Sequence, residues 1–387
     1  MKLSGLLVHS RQAIELQIEA GAIVSLVPVA SASYWLAPGF IDLQVNGFGG
    51  VDFNDPATTT EQVAQAIRKL WATGVTHLLP TVITGSHEHL AACFANLVKA
   101  ADEFSEVAYA TLGFHLEGPF ISTEDGPRGA HPRAHARPPD WDEFMRLQDA
   151  ARGRIRLITL APEWEGALRF IEQAVKANVI VALGHTAATP ERIREAVSAG
   201  ATMSTHLGNG SHAQLARHPN YIWEQLAADE LHASFILDGH HLPPSVVKCF
   251  LRAKGIARSI LVTDAIAAAG CPPGRYQLGD AAVELTSQGR VCLLGTPYLA
   301  GSAVQMHEAI ANTVRFSDAT LGEALQMATA NPAALLRLSN TRGQLAQGRA
   351  ADVVVLNWNE KTQSLAVVAT ICRGEVVYQN LNEKEAQ

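Results

Sequence analysis

Gly113-Phe114-His115-Leu116-Glu117-Gly118-Pro119 closes an apolar run, residues 107–116, with a carboxylate. A run of this kind reads as a buried strand, and the Gly-Pro pair ends it. Two later apolar runs end in histidine: 179–183 leads into Gly184-His185, and 201–205 leads into His206-Leu207. A fourth, 259–263, ends in Asp264. One glutamate, two histidines and one aspartate therefore stand at four strand ends. Three N/O ligands with an open position suit a catalytic zinc. A carboxylate that is not a ligand suits the general base such a site needs.

Working outward, eight runs have the same character: 40–45, 75–82, 107–116, 155–161, 179–183, 201–205, 233–237 and 259–263. Helical patterns fall between most of them. Residues 60–73 carry helical apolar spacing and stop before Gly74. Residues 190–199 follow Thr189, an N-cap, and open on Pro190. Apolar strands alternating with helices imply a parallel sheet covered on both faces. Eight units over this length predict a closed (β/α)8 TIM barrel, with the active site at the C-terminal strand ends. Gln44, Asn46, Glu117, His185, His206, Asp238, His241 and Asp264 all fall at such ends.

Residues 1–38 alternate apolar and polar positions, as in Ile14-Glu15-Leu16-Gln17-Ile18, and 344–379 resume that pattern with glycine turns. The predicted organisation is a small β-sandwich domain from 1–38 plus 342–387, around a barrel at 39–341. Two segments interrupt the alternation. Residues 118–140 read as a long loop over the site, and 267–302 carry a hairpin-like pattern. Long loops of this kind are usually functional.

Composition excludes several classes. A net charge of −7 and no basic block argue against nucleic-acid binding. No apolar run approaches membrane-spanning length, and the first residues are too weakly apolar for a signal peptide. Five scattered cysteines show no disulfide framework, so the expected location is the cytoplasm.

Six motifs stand in a fixed order: Pro38-Gly39-Phe40-Ile41-Asp42, His115-Leu116-Glu117-Gly118-Pro119, Gly184-His185-Thr186, Thr205-His206-Leu207, Leu261-Val262-Thr263-Asp264-Ala265 and Leu299-Ala300-Gly301-Ser302. In this the chain resembles the amidohydrolase superfamily, and within it the N-acetylglucosamine-6-phosphate deacetylases, over essentially its whole length. The resemblance implies that Glu117, His185 and His206 hold one divalent metal, zinc being the expected ion. It makes Asp264 the base and puts His131 on the acetyl carbonyl. It places Asn209 and Gly210 near the sugar phosphate, and Arg217 and His241 on the phosphate, in part across a homodimer interface. Many members carry His-x-His on strand 1 and bind two metals. Gln44 and Asn46 occupy those positions here, and neutral amides are weak zinc ligands, so the second position is expected to be empty. The implied substrate is an N-acetylated amino sugar phosphate. Related alternatives are the galacto epimer, an unphosphorylated N-acetyl sugar, or an N-acyl amino acid.

One departure bears on specificity. Gly210-Ser211-His212 stands where the family commonly has Ala-Met after the asparagine, which alters the wall beside the sugar. Other features are expected to be inert. His87-Glu88-His89 lies at a helix start, where residues two apart diverge. His240 reads as a neighbour of His241, and the cysteines as core fillers.

Overall fold

A computed structural model describes residues 1–8, 10–279 and 281–380. All eight expected strands lie in one sheet, in chain order: Phe40–Val45, Val75–Ile83, Phe114–Glu117, Ile155–Leu160, Ile180–Leu183, Met203–Ser204, His232–Phe235 and Ser259–Leu261. Each pairs in parallel with the next. The ends of the sheet meet just beyond the last strand, through a parallel bridge between Val45 and Ala265. The Asn46 amide donates to the Ala265 carbonyl at 2.7 Å and the Asp264 amide to the Gln44 carbonyl at 3.0 Å. Asp42 reinforces this seam by accepting from the Thr263 hydroxyl at 2.6 Å and its amide at 3.2 Å. The expected (β/α)8 barrel is the fold.

The strands are buried on both faces because helices cover them outside and side chains fill the lumen. Ile41, Leu43, Leu79, Leu157, Ala182, Met203, Ile236, Ile260 and Val262 form the inner cluster, drawn from alternate positions of the strands as a closed barrel requires. Helix Thr60–Leu70 opens on a capping box between Thr59 and Gln62, and helix Pro190–Ser198 on the Thr189 hydroxyl, so their starts follow from local chemistry.

One element departs from the sequence expectation. Residues 107–116 are not one strand. Ser105–Ala110 is a short helix and only Phe114–Glu117 is strand. Val107 and Ala110 are both buried, at helical spacing, and an apolar run does not by itself separate the two periods. Gly113 divides them at φ +146°, with the Arg156 side chain pressed where a Cβ would sit.

The two chain ends build one sheet of seven strands. Lys2–Leu7, Ala13–Glu19, Ala22–Pro28 and Trp35–Pro38 join Val353–Asn359, Ser364–Cys372 and Glu375–Gln379. Trp35–Pro38 is the joint, parallel to Lys2–Leu7 and antiparallel to Val353–Asn359. The sheet folds over, so that Ile23 exchanges backbone bonds with Gly348 and Arg349. Ile14, Leu16 and Ile18 thereby pack against Val353, Val355 and Ile371. The expected sandwich is thus one sheet closed on its own apolar face. Its anticipated last stretch, 381–387, lies outside the described residues.

Both long segments reach the C-terminal end of the barrel. Residues 118–140 contain one short turn of 3₁₀ helix, Arg133–His135. The segment after strand eight folds into an antiparallel sheet, Gly274–Leu278, Ala281–Leu285 and Val291–Leu293. Among the described residues no helix is long and apolar enough to cross a membrane.

Candidate active site

Strand geometry brings the four expected groups to one place. Glu117 is the last residue of the third strand, and His185, His206 and Asp264 follow the fifth, sixth and eighth by two or three residues. The last three sit at φ +50°, +28° and +50°. Few non-glycine residues adopt this left-handed region, and such strain clusters at functional sites. Here surrounding bonds hold it: the His206 amide donates to the Ser234 hydroxyl at 2.8 Å, the Ser122 amide to the His185 carbonyl and the Asp264 amide to the Gln44 carbonyl.

Three ligand atoms form a near-equilateral triangle. Glu117 Oε1 lies 3.1 Å from His185 Nε2 and 2.9 Å from His206 Nε2, and the two nitrogens are 3.1 Å apart. A tetrahedral zinc with ligands at about 2.1 Å holds them roughly 3.4 Å apart, close to this spacing. The tautomer of His185 agrees with a ligand role. Its Nδ1–H donates to the Pro127 carbonyl at 2.9 Å, which leaves a lone pair on Nε2 facing the triangle. The donor set therefore fits a divalent cation. Burial pushes the Glu117 carboxyl up, but hydrogen bonds and charge from His185 and His206 prevail and hold it well below its usual range.

Asp264 sits beside this cluster and is not part of it. The Asn46 side-chain amide donates to its Oδ1 at 2.7 Å and that of Gln44 at 3.1 Å. The same Gln44 nitrogen donates to Glu117 Oε1 at 2.9 Å. Gln44 and Asn46, considered as a second metal position, thus present N–H groups to the two carboxylates. Burial, then repulsion by Glu117, raises Asp264 to about 6, poised for proton transfer near neutral pH.

Around the cluster lies a cavity of about 570 Å³. His131 enters it from the 118–140 segment, with Nδ1 on the Thr84 hydroxyl at 2.9 Å and its ring 4.3 Å from that of His185. Burial, then the neighbouring His185, depresses His131 to about 3, so it is a neutral imidazole. Asn209, Gly210 and His241 line the same cavity. Asp238 fixes His241 by accepting from its Nδ1 at 2.7 Å. Arg217 does not join them: it is exposed, in the loop ahead of helix Tyr221–Ala227, and is not among the lining residues.

The chain matches the amidohydrolase family over residues 35–377. The chain belongs to the amidohydrolase family. It is 33% identical to the Bacillus subtilis N-acetylglucosamine-6-phosphate deacetylase, over 90% of this chain and 86% of that one. It is 36% identical to the N-acetylgalactosamine-6-phosphate deacetylase of a Shewanella species, over 89% and 83%. An aspartate-to-alanine variant of the Mycobacterium smegmatis N-acetyl-D-glucosamine-6-phosphate deacetylase, in complex with N-acetyl-D-glucosamine-6-phosphate, superposes with a TM-score of 0.88. It shares 31% identity, over 98% of this chain and 99% of that one.

Within this amidohydrolase site, several residues escaped the sequence. Gln44 was weighed only as a weak ligand, yet it bridges Glu117 and Asp264. His89, set aside with His87 as a metal pair, does line the cavity. Helix His87–Glu103 starts at the top of the second strand on a Ser86 cap, and that position was the available clue. Leu278 and Leu293 of the small antiparallel sheet, and Leu299 beyond its last strand, line the cavity. Of the five free cysteines, Cys249 is exposed and Cys271 half-buried, so only Cys93, Cys292 and Cys372 are core residues.

Proposed function

We propose that this protein is a metal-dependent deacetylase that hydrolyses the acetamide of an N-acetylated amino sugar 6-phosphate. The substrate is N-acetylglucosamine-6-phosphate, and the products are glucosamine-6-phosphate and acetate. The observation that carries this reading is the convergence of Glu117, His185 and His206 on one point, with Asp264 beside them in a cavity of sugar-phosphate size.

Glu117, His185 and His206 would hold one divalent ion, and two imidazoles with one carboxylate suit zinc. Bound there, such an ion would acidify the attacking water and polarise the acetyl carbonyl. Asp264 accepts the proton of that water and delivers it to the departing sugar nitrogen. The amides of Asn46 and Gln44 hold Asp264 in one orientation. His131 is neutral and its Nδ1 faces Thr84. In the tautomer that carries its proton on Nε2, the ring donates to the carbonyl oxygen as negative charge builds there.

At the other end of the sugar, His241, Asn209 and Gly210 bind the phosphate. Arg217 is too exposed to serve its own cavity, so it acts in a partner's, which makes the working unit a homodimer. The expected compartment is the cytoplasm, where phosphorylated sugars are handled. The exposure of Arg217, with the altered Gly210-Ser211-His212 wall, favours a second reading: a deacetylase that accepts unphosphorylated N-acetyl sugars. Acetate release from N-acetylglucosamine and N-acetylgalactosamine, each with and without the 6-phosphate, separates the two. The proposal expects a 6-phosphate sugar to give the highest kcat/KM. Equal rates with unphosphorylated sugar support the second reading.

A further inference from the structure

His212 follows the cavity-lining Asn209 and Gly210 by two or three residues, and it joins two segments flanking His185. Its Nε2 lies 3.0 Å from Glu124 Oε2, in the 118–140 segment. On its other side, Tyr221 contacts it twice: the His212 amide donates to the Tyr221 hydroxyl at 2.8 Å, and Nδ1 lies 3.1 Å from the same oxygen. Tyr221 is buried and opens helix Tyr221–Ala227, capped by Asn220. His212 thus ties the loop bearing Glu124 to a fixed point in the helical layer.

Contact between the two segments is close. A Cβ on Gly126 would lie 3.0 Å from both the His212 Cα and the Ser211 carbonyl oxygen, and one on Gly210 would lie 3.1 Å from the Pro127 oxygen. Glu124 is three residues before Pro127, whose carbonyl accepts from His185 Nδ1 at 2.9 Å. Gly210 and Gly129 pack on the same imidazole: added Cβ atoms would stand 2.7 Å from Nδ1 and 3.2 Å from Cε1. The Nδ1 side of His185 is thus held between these two segments, and Glu124–His212 is a side-chain link between them.

We propose that Glu124, His212 and Tyr221 form a clamp that seats the Pro127 carbonyl on His185, and so sets how tightly the Glu117–His185–His206 cluster retains its ion. None of the three touches the cavity, so they are positioning residues. The inference rests on the metal reading above. Outer partners of a metal-binding histidine typically change affinity by about 10–100-fold. A clamp acting through one intervening carbonyl should lie at the low end.

The test uses the full chain loaded with zinc and measures zinc release to an excess of a chromogenic chelator. Glu124→Ala and His212→Ala should each release the ion roughly ten-fold faster than wild type. The double variant should be no faster than either single one, because both remove the same link. The metal-free proteins should unfold at the wild-type midpoint, which separates a clamp from general destabilisation. Wild-type release from either single variant overturns the clamp, as does a double variant whose effects multiply. If His212→Ala does not fold, Glu124→Ala at its exposed position carries the test alone. If wild type takes up no divalent ion, the metal reading itself fails and the clamp falls with it.

Discussion

Replacing Asn46 by alanine tests how the site tunes its base. The Asn46 amide donates to Asp264 Oδ1 at 2.7 Å, the shorter of the two side-chain bonds this carboxylate accepts. Such a bond stabilises the charged form. A hydrogen bond to a charged group contributes about 1.5–3 kcal/mol, and one pKa unit corresponds to about 1.4 kcal/mol. Its loss should therefore raise Asp264 by about 1–2 units from its value near 6. A general base works deprotonated, so activity is present above its pKa and is lost as pH falls through it. The acid limb of kcat/KM against pH should move 1–2 units alkaline in Asn46→Ala, and the rate should recover at high pH. A bound cation displaces the limbs of both proteins in the same direction, so the difference between them is the quantity to compare. An unmoved limb, or a rate lowered equally at every pH, would refute the assignment of Asn46 as the group that tunes Asp264.

Three further outcomes are expected. Asp264→Asn should lower kcat by roughly 10²–10⁴-fold while the ion stays bound; near-normal turnover removes its role as base. Gly210→Ala forces a left-handed residue's Cβ to within 2.7 Å of His185 Nδ1, so ion affinity by equilibrium dialysis should fall about 10–100-fold, and unchanged affinity contradicts the packing argument. Arg217→Ala should raise KM for the 6-phosphate sugar roughly ten- to hundred-fold and spare the unphosphorylated one. Equal loss on both substrates makes Arg217 structural.

The barrel was legible because its strands are buried on both faces and so stand out as apolar runs. Polar residues then mark where each run leaves the core, and that is where Glu117, His185, His206 and Asp264 were found. Periodicity failed at 105–110, where a six-residue helix is too short to show its spacing beside an apolar strand. The role of Gln44 was invisible for a different reason. Its position on strand one could be read, but its contact with carboxylates 73 and 220 residues away exists only once the barrel closes. Motif spacing likewise could not show that Arg217 is exposed and outside the lining of its own cavity. His212 could be flagged as a departure, but its partner Glu124, 88 residues earlier, comes beside it only when two loops meet over His185.

One ion held by Glu117, His185 and His206, working with Asp264, is proposed to deacetylate an amino sugar phosphate. The most direct measurement is acetate release from N-acetylglucosamine-6-phosphate by the purified protein, before and after chelation and then with zinc restored. Turnover should disappear with the ion and return with about one equivalent of zinc per chain. Turnover that survives complete removal of the ion, or a metal-loaded protein that releases no acetate from this substrate, would contradict it.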